Sequence, residues 1–150
     1  MKVVLRNPWA LRLSAWILGG FFLAAAYPKL ADPPGFAEAL QGYALLPAAA
    51  LAPLALLLPW VEALAGLALL TGIARRSAAL LALALLLVFT GALTLNLARR
   101  HPVDCGCFGA SRQPKTPDER LRAMRWDLAR DLALVLLALH GVLGRKEPAP

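Results

Sequence analysis

Cys105 and Cys107 stand one glycine apart in the polar stretch Asp104-Cys105-Gly106-Cys107-Phe108-Gly109, and they are the only cysteines in 150 residues. Thiols at this spacing can cycle between dithiol and disulfide, hold a soft metal ion, or form an inert staple. As a staple the pair is weak, because closing a loop of about three residues contributes only ~1.6 kcal/mol by chain entropy, before any strain is subtracted. The ring must also bring the two alpha carbons within ~4.4–6.8 Å, and Gly106 makes so tight a turn accessible. Strain makes a disulfide easier to reduce, with ~1.4 kcal/mol corresponding to about 30 mV for the two-electron couple. Such a pair suits exchange. Arg99, Arg100 and His101 just upstream favour the thiolate, while Asp104 opposes it. As metal ligands the thiols would suit an ion such as Cu(I). Zinc would need about two more ligands, and His101 is the only histidine nearby, so no complete metal site is expected.

Glu62 is the second chemically informative residue. A carboxylate deep in an apolar run is rare and faces a bundle interior or a cavity, where it needs a partner or a proton. Lys29, Asn96 and the Arg130-Asp131 pair are the candidate partners. Two readings stay open at this level: a proton or substrate site, or a neutral carboxyl hydrogen-bonded between helices. His140 reads as a polar helix-contact residue, and Gly19-Gly20, Gly66, Gly72 and Gly91 as places where helices approach closely.

The elements that must position these residues follow from composition. Hydrophobic residues make up 59% of the chain and the mean hydropathy is +0.61, against roughly 45–50% apolar usage in soluble domains. This is a bilayer protein. The net charge of +7 would suggest a nucleic-acid partner in a soluble chain, but the positives cluster at the ends of apolar runs and so read as membrane orientation and lipid contact, with no nucleic acid. The expectation is an all-α integral membrane protein, a single membrane domain over 1–150, built as a bundle of four transmembrane helices with the Cys-Gly-Cys loop between the third and fourth. The spans fall at about 11–30, 53–73, 77–98 and 129–143.

Lys2 and Arg6 ahead of an apolar stretch imitate a cleavable signal, but Arg12 interrupts it, so the stretch reads as the first span. Arg12 and Lys29 are placed to snorkel from its ends. Pro33-Pro34-Gly35 then marks a turn, with a short interfacial segment after it. Pro53 is expected in the first turn of the second span, with Pro59 kinking it. An amphipathic helix is expected to start near 117: Thr116 caps, Pro117 occupies the first helical position and Glu119 completes a capping box. Short loops favour both termini in the cytoplasm and the cysteine loop in the periplasm or outside, although Arg99-Arg100 argues the other way.

Several stretches share one resemblance: YPKLADPPGFAEALQGYALLP (27–47), LPWVEALAGLALLTGIARRSAAL (58–80), NLARRHPVDCGCFG (96–109) and RWDLARDLAL (125–134). Together they resemble the MauE family of methylamine utilisation, within the broader DoxX-like group, and the Cys-Gly-Cys-Phe-Gly loop is the most discriminating piece. The resemblance implies a four-helix bacterial inner-membrane protein associated with thiol–disulfide chemistry, working beside a thioredoxin-like partner in maturing the disulfide-rich small subunit of methylamine dehydrogenase. It implies Cys105 and Cys107 as the redox pair and Lys29, Asp32, Glu62 and Asp131 as family-type polar positions without assigned roles. It does not identify the client or make methylamine a substrate.

Membrane oxidases that resemble DsbB or the vitamin K epoxide reductases relay electrons through two cysteine pairs and a quinone, whereas this chain has one pair. A partner must supply the second pair, or a quinone must meet the first directly, or the pair must swing between two sides. Trp60, Phe89, Phe108 and Trp126 are available as quinone-site or packing residues, with packing favoured. The leading expectation is a thiol–disulfide oxidoreductase that exchanges electrons with a thioredoxin-fold partner or a disulfide-containing client, with quinone as a candidate acceptor. The alternatives are a soft-metal or metalloid carrier using the same thiols, and a non-catalytic membrane scaffold for a redox partner.

Overall fold

The structure, a computed structural model, describes residues 8–103 and 116–144. These form five helices, α1 (Pro8–Ala31), α2 (Pro33–Gly42), α3 (Ala48–Thr71), α4 (Arg75–Ala98) and α5 (Pro117–Leu143). The protein is all-α. Helices α1, α3 and α4 are long and apolar enough to cross a membrane by length and composition. The fourth expected span, 129–143, is the second half of α5, whose first half carries the charges from Asp118 to Asp127.

Helix ends follow local chemistry. Asp32 stops α1 and caps α2, its carboxylate accepting from the Gly35 amide at 3.1 Å. α3 starts at Ala48 rather than near Pro53, so both Pro53 and Pro59 lie inside a continuous helix. It ends at Gly72, which takes the left-handed conformation (φ 78°) that L side chains avoid. The capping box expected at Thr116 and Glu119 is present. α4 closes with a Schellman arrangement, in which Arg100 N–H bonds Leu97 O and His101 N–H bonds Asn96 O. Here Arg100 rather than glycine holds the left-handed position (φ 51°).

The long helices pack antiparallel. Gly19 of α1 and Gly66 of α3 meet backbone to backbone: a Cβ on Gly19 would sit 2.8 Å from Gly66 O, and one on Gly66 would sit 2.9 Å from Gly19 O. Gly20 and Gly91 face open space, so only part of the expected glycine set works in packing. Gly141 of α5 crosses Ala79 near the start of α4, and Met124 near the start of α5 packs with Leu93 near the end of α4. One end of the bundle therefore gathers the start of α1, the α3–α4 turn and the end of α5. The other gathers α2, the end of α4 and the start of α5. Between them lies an apolar core of small and large residues, among them Leu18, Phe22, Leu69, Ala82, Leu86 and Ala138. Outward faces carry Leu56, Leu57, Leu64, Val88, Leu132 and Leu136, all more than half exposed. An apolar exterior around a packed interior is what a lipid solvent requires.

Candidate functional site

The buried stripe of α1 runs Leu11, Ser14, Ala15, Leu18, Phe22, Ala25, Ala26 and Lys29. Lys29 is the last member of this 3.6-residue pattern, so its side chain turns inward instead of snorkelling, and it is 2% exposed. Helical side chains lean toward their own N-terminus. In an antiparallel pair this leans Lys29 and Glu62 toward each other across α1 and α3. Lys29 Nζ donates to both Glu62 oxygens at 2.7 Å. The ammonium also lies 5.0 Å from the Phe36 ring centroid and 5.2 Å from that of Phe89, so aromatic faces from α2 and α4 enclose it.

Asp131 of α5 completes the site. It occupies an otherwise apolar stripe with Met124, Leu134 and Ala138, and it is 3% exposed. Its Oδ1 accepts from Arg130 Nε at 3.3 Å and from a terminal Arg130 nitrogen at 3.2 Å. The other terminal nitrogen of Arg130 reaches Asp127 Oδ1 at 2.9 Å, and the guanidinium stacks over Phe21 at 5.3 Å. Lys29, Glu62 and Asp131 line one small cavity of about 20 Å³, walled by Phe21, Phe22, Ala25, Leu85, Leu86 and Phe89. That is room for one water molecule.

Of the residues expected from sequence, Lys29, Glu62 and Asp131 are thus brought together, and Lys29 proves to be the partner of Glu62. Asp32 is a cap and not part of this cluster. Asn96 is buried and donates to Ala92 O of its own helix at 3.0 Å. His101 Nε2 lies 3.1 Å from Gly42 O, tying the end of α4 to α2. Val103 beyond it is buried with Tyr43, Leu93 and Met124. His140 is a helix-contact residue as read, its Nδ1 2.9 Å from Ser14 Oγ. Cys105, Cys107 and Phe108 lie outside the described residues. Trp60 and Trp126 are 61% and 76% exposed, whereas Phe89 faces Lys29. Sequence reasoning missed the enclosure by Phe36 and the shared position of Asp127 and Asp131 around Arg130, although the i, i+4 spacing of those two acids was a readable signal.

Beside this cluster an apolar cleft of about 550 Å³ opens between α2, α3 and α4, with Leu40, Leu46, Leu58, Val88 and Phe89 among its walls. Tyr43 carries the single hydroxyl in its lining. No group of three or more His, Cys, Asp or Glu placed to hold a metal occurs among the described residues.

Comparison with known proteins gives this architecture a family. The model of the family described as methylamine utilisation protein MauE matches residues 7–144. The chain belongs to the MauE family. The MauE protein of Methylophilus methylotrophus is 33% identical over 141 residues, covering 93% of this chain and 71% of that relative. The Paracoccus denitrificans MauE protein is 37% identical over 145 residues, covering 95% and 72%. That of Methylorubrum extorquens is 37% identical over 86 residues, covering 57% and 46%. No solved structure matches. As a MauE-family chain with several apolar helices of membrane-crossing length, it is a multi-pass membrane protein of bacteria.

Proposed function

We propose that this chain is a thiol–disulfide exchange protein of the bacterial inner membrane, with Cys105 and Cys107 as its redox pair and a thioredoxin-fold protein or disulfide-containing client as its partner. The observation that carries the reading is the pair itself: the chain's only cysteines, one glycine apart, begin two positions after Val103. That residue is packed into the bundle, and the preceding turn is tied down by the Schellman bonds and His101. Reactive groups carried on loops by a rigid scaffold are a recurrent arrangement.

In the exchange, a thiolate of one protein attacks a disulfide sulfur of the other, a mixed disulfide forms, and the second thiol resolves it. Two electrons and two protons pass from the dithiol, which becomes the disulfide, to the partner disulfide, which becomes the dithiol. The names of the relatives place them in methylamine utilisation, and we take the client to belong to that process. A quinone acceptor would find a fitting place for its isoprenoid tail in the cleft beside Phe89, whose lining is nearly all apolar.

The proposal includes a fourth crossing. α5 runs beside α4, one of the helices long and apolar enough to cross, from Met124 at one end to Gly141 at the other, and this supports the reading that it crosses with α4. Its outward Leu132, Leu136 and Leu143 suit lipid.

The test is a redox titration of the purified protein in detergent against a glutathione or dithiothreitol buffer, read by thiol alkylation. The expected result is a reversible two-electron transition above about −250 mV, among exchange-active disulfides and away from structural ones below about −300 mV. It should vanish in Cys105→Ser and in Cys107→Ser. If no disulfide forms anywhere in the titration, the exchange reading fails.

A further inference from the structure

Charges do not balance around the buried cavity. Among the described residues its neighbourhood holds two cations, Lys29 and Arg130, and three carboxylates, Glu62, Asp127 and Asp131. α4 contributes Leu85, Leu86 and Phe89 and α2 contributes Phe36, so neither brings a titratable group to the cluster. An ionised carboxylate without a counter-charge is strongly disfavoured in such surroundings and takes a proton instead. The distances rank the three acids. Glu62 has Lys29 at 2.7 Å on both oxygens, and Asp127 has Arg130 at 2.9 Å and is 20% exposed. Asp131 has the longer Arg130 contacts of 3.2 and 3.3 Å on one oxygen, shares the cavity with Lys29 without pairing with it, is more buried than Asp127, and borders the space for one water.

We propose that Lys29, Glu62 and Asp131 form a proton-binding site in the bundle interior, in which Asp131 carries a proton at neutral pH while Lys29 and Glu62 remain an ion pair. The site is open in one direction. Toward the end where α5 starts, Arg130 and Asp127 lead from Asp131 to partial exposure. Toward the opposite end, Leu134 and Ala138 continue the same face of α5 into the apolar core and separate Asp131 from the next polar contact, Ser14 with His140. The protonated carboxyl is therefore in exchange with water on the side of the bundle where α4 ends, and not with the other side. This inference stands on the cluster alone and does not need the cysteines to be redox-active.

Infrared difference spectroscopy of the purified full-length protein tests it, since a protonated carboxyl has a carbonyl stretch separate from that of a carboxylate. At neutral pH the wild-type protein should show one such band, moving to lower frequency in heavy water. Asp131→Asn should abolish it. Asp127→Asn, at the rim of the cluster and less exposed to the hazard of misfolding, should also abolish it, because two cations then face two carboxylates. Lys29→Met should raise its intensity about twofold by removing one positive charge. A wild-type spectrum without the band overturns the proposal, as does a band that persists undiminished in Asp131→Asn or Asp127→Asn. A band that disappears when sodium or lithium chloride is added shows a cation site instead, and one that never responds to heavy water refutes access from the aqueous side.

Discussion

Lys29 and Glu62 meet although they stand 33 positions apart in the chain, and the cost of separating them is set by what each leaves behind. Removing one member of a buried ion pair strands the other and is destabilising by about 3–5 kcal/mol, whereas replacing both with apolar groups of similar volume is often neutral. Lys29→Met should accordingly lower the stability of the detergent-solubilised protein by about 3–5 kcal/mol in reversible denaturant unfolding. Lys29→Met combined with Glu62→Leu should recover most of that loss. If the double variant is instead as unstable as the sum of the singles, the two residues are not energetically coupled and the pair is incidental. The pairing was half legible in the sequence. Glu62 advertises itself as a lone acid in an apolar run, but Lys29 near a helix end looks like a snorkelling residue until its place on the inward stripe with Phe22 and Ala25 is noticed. The enclosure by Phe36 and Phe89 was beyond sequence reading, because it depends on α2 folding back against α3 and on the rotation of α4.

Two helices approach closely only where side chains permit it, and at the α1–α3 crossing the permission comes from one glycine on each. Gly19→Ala would press a methyl to 2.8 Å from the Gly66 carbonyl, with Leu70 and Leu69 at 3.0 and 3.2 Å, and overpacking of this kind costs about 1–3 kcal/mol. Gly20→Ala is the control, since its Cβ meets nothing. Unfolding midpoints should fall for the first and stay level or rise for the second; equal effects would show that the crossing tolerates separation. The same crossing sets the register that brings Lys29 to Glu62, so Gly19→Ala should also weaken their coupling. Element boundaries were readable wherever local chemistry writes them. Thr116-Pro117-Asp118-Glu119 predicted the start of α5, and the expected spans 53–73 and 77–98 bracketed the turn between α3 and α4 to within a few residues. The start of α3 was not, because Pro47, Pro53 and Pro59 offer three chemically similar stops and the true one depends on α2 packing Phe36 and Leu40 against Ala55. The glycines likewise all look alike in sequence, and only the helix rotations separate Gly19 from Gly20.

At the scale of the molecule, orientation decides which compartment meets the cysteines. The end formed by the start of α1, the α3–α4 turn and the end of α5 carries Arg12, Arg75 and Arg76 and no acid among the described residues. At the other end, cations are interleaved with Glu38, Asp118, Glu119 and Asp127. Positive charge in short loops favours the cytoplasmic side, so the orientation we propose puts the first end in the cytoplasm and α2 on the oxidising side, where a disulfide can persist. In a Cys105→Ser, Cys107→Ser background, single cysteines at Glu38, Ser77 and Leu143, all exposed positions, report the topology when cells are treated with a membrane-impermeant maleimide. Glu38→Cys should label in intact cells, while Ser77→Cys should label only after the membrane is opened. Leu143→Cys decides the fourth crossing: it should behave like Ser77→Cys if α5 spans, and like Glu38→Cys if α5 returns to the side on which it starts. Labelling of Ser77→Cys alone in intact cells would invert the bundle and set Cys105 and Cys107 against the reducing cytoplasm, where the pair would rest as a dithiol and any exchange would have to run as a reduction of the partner.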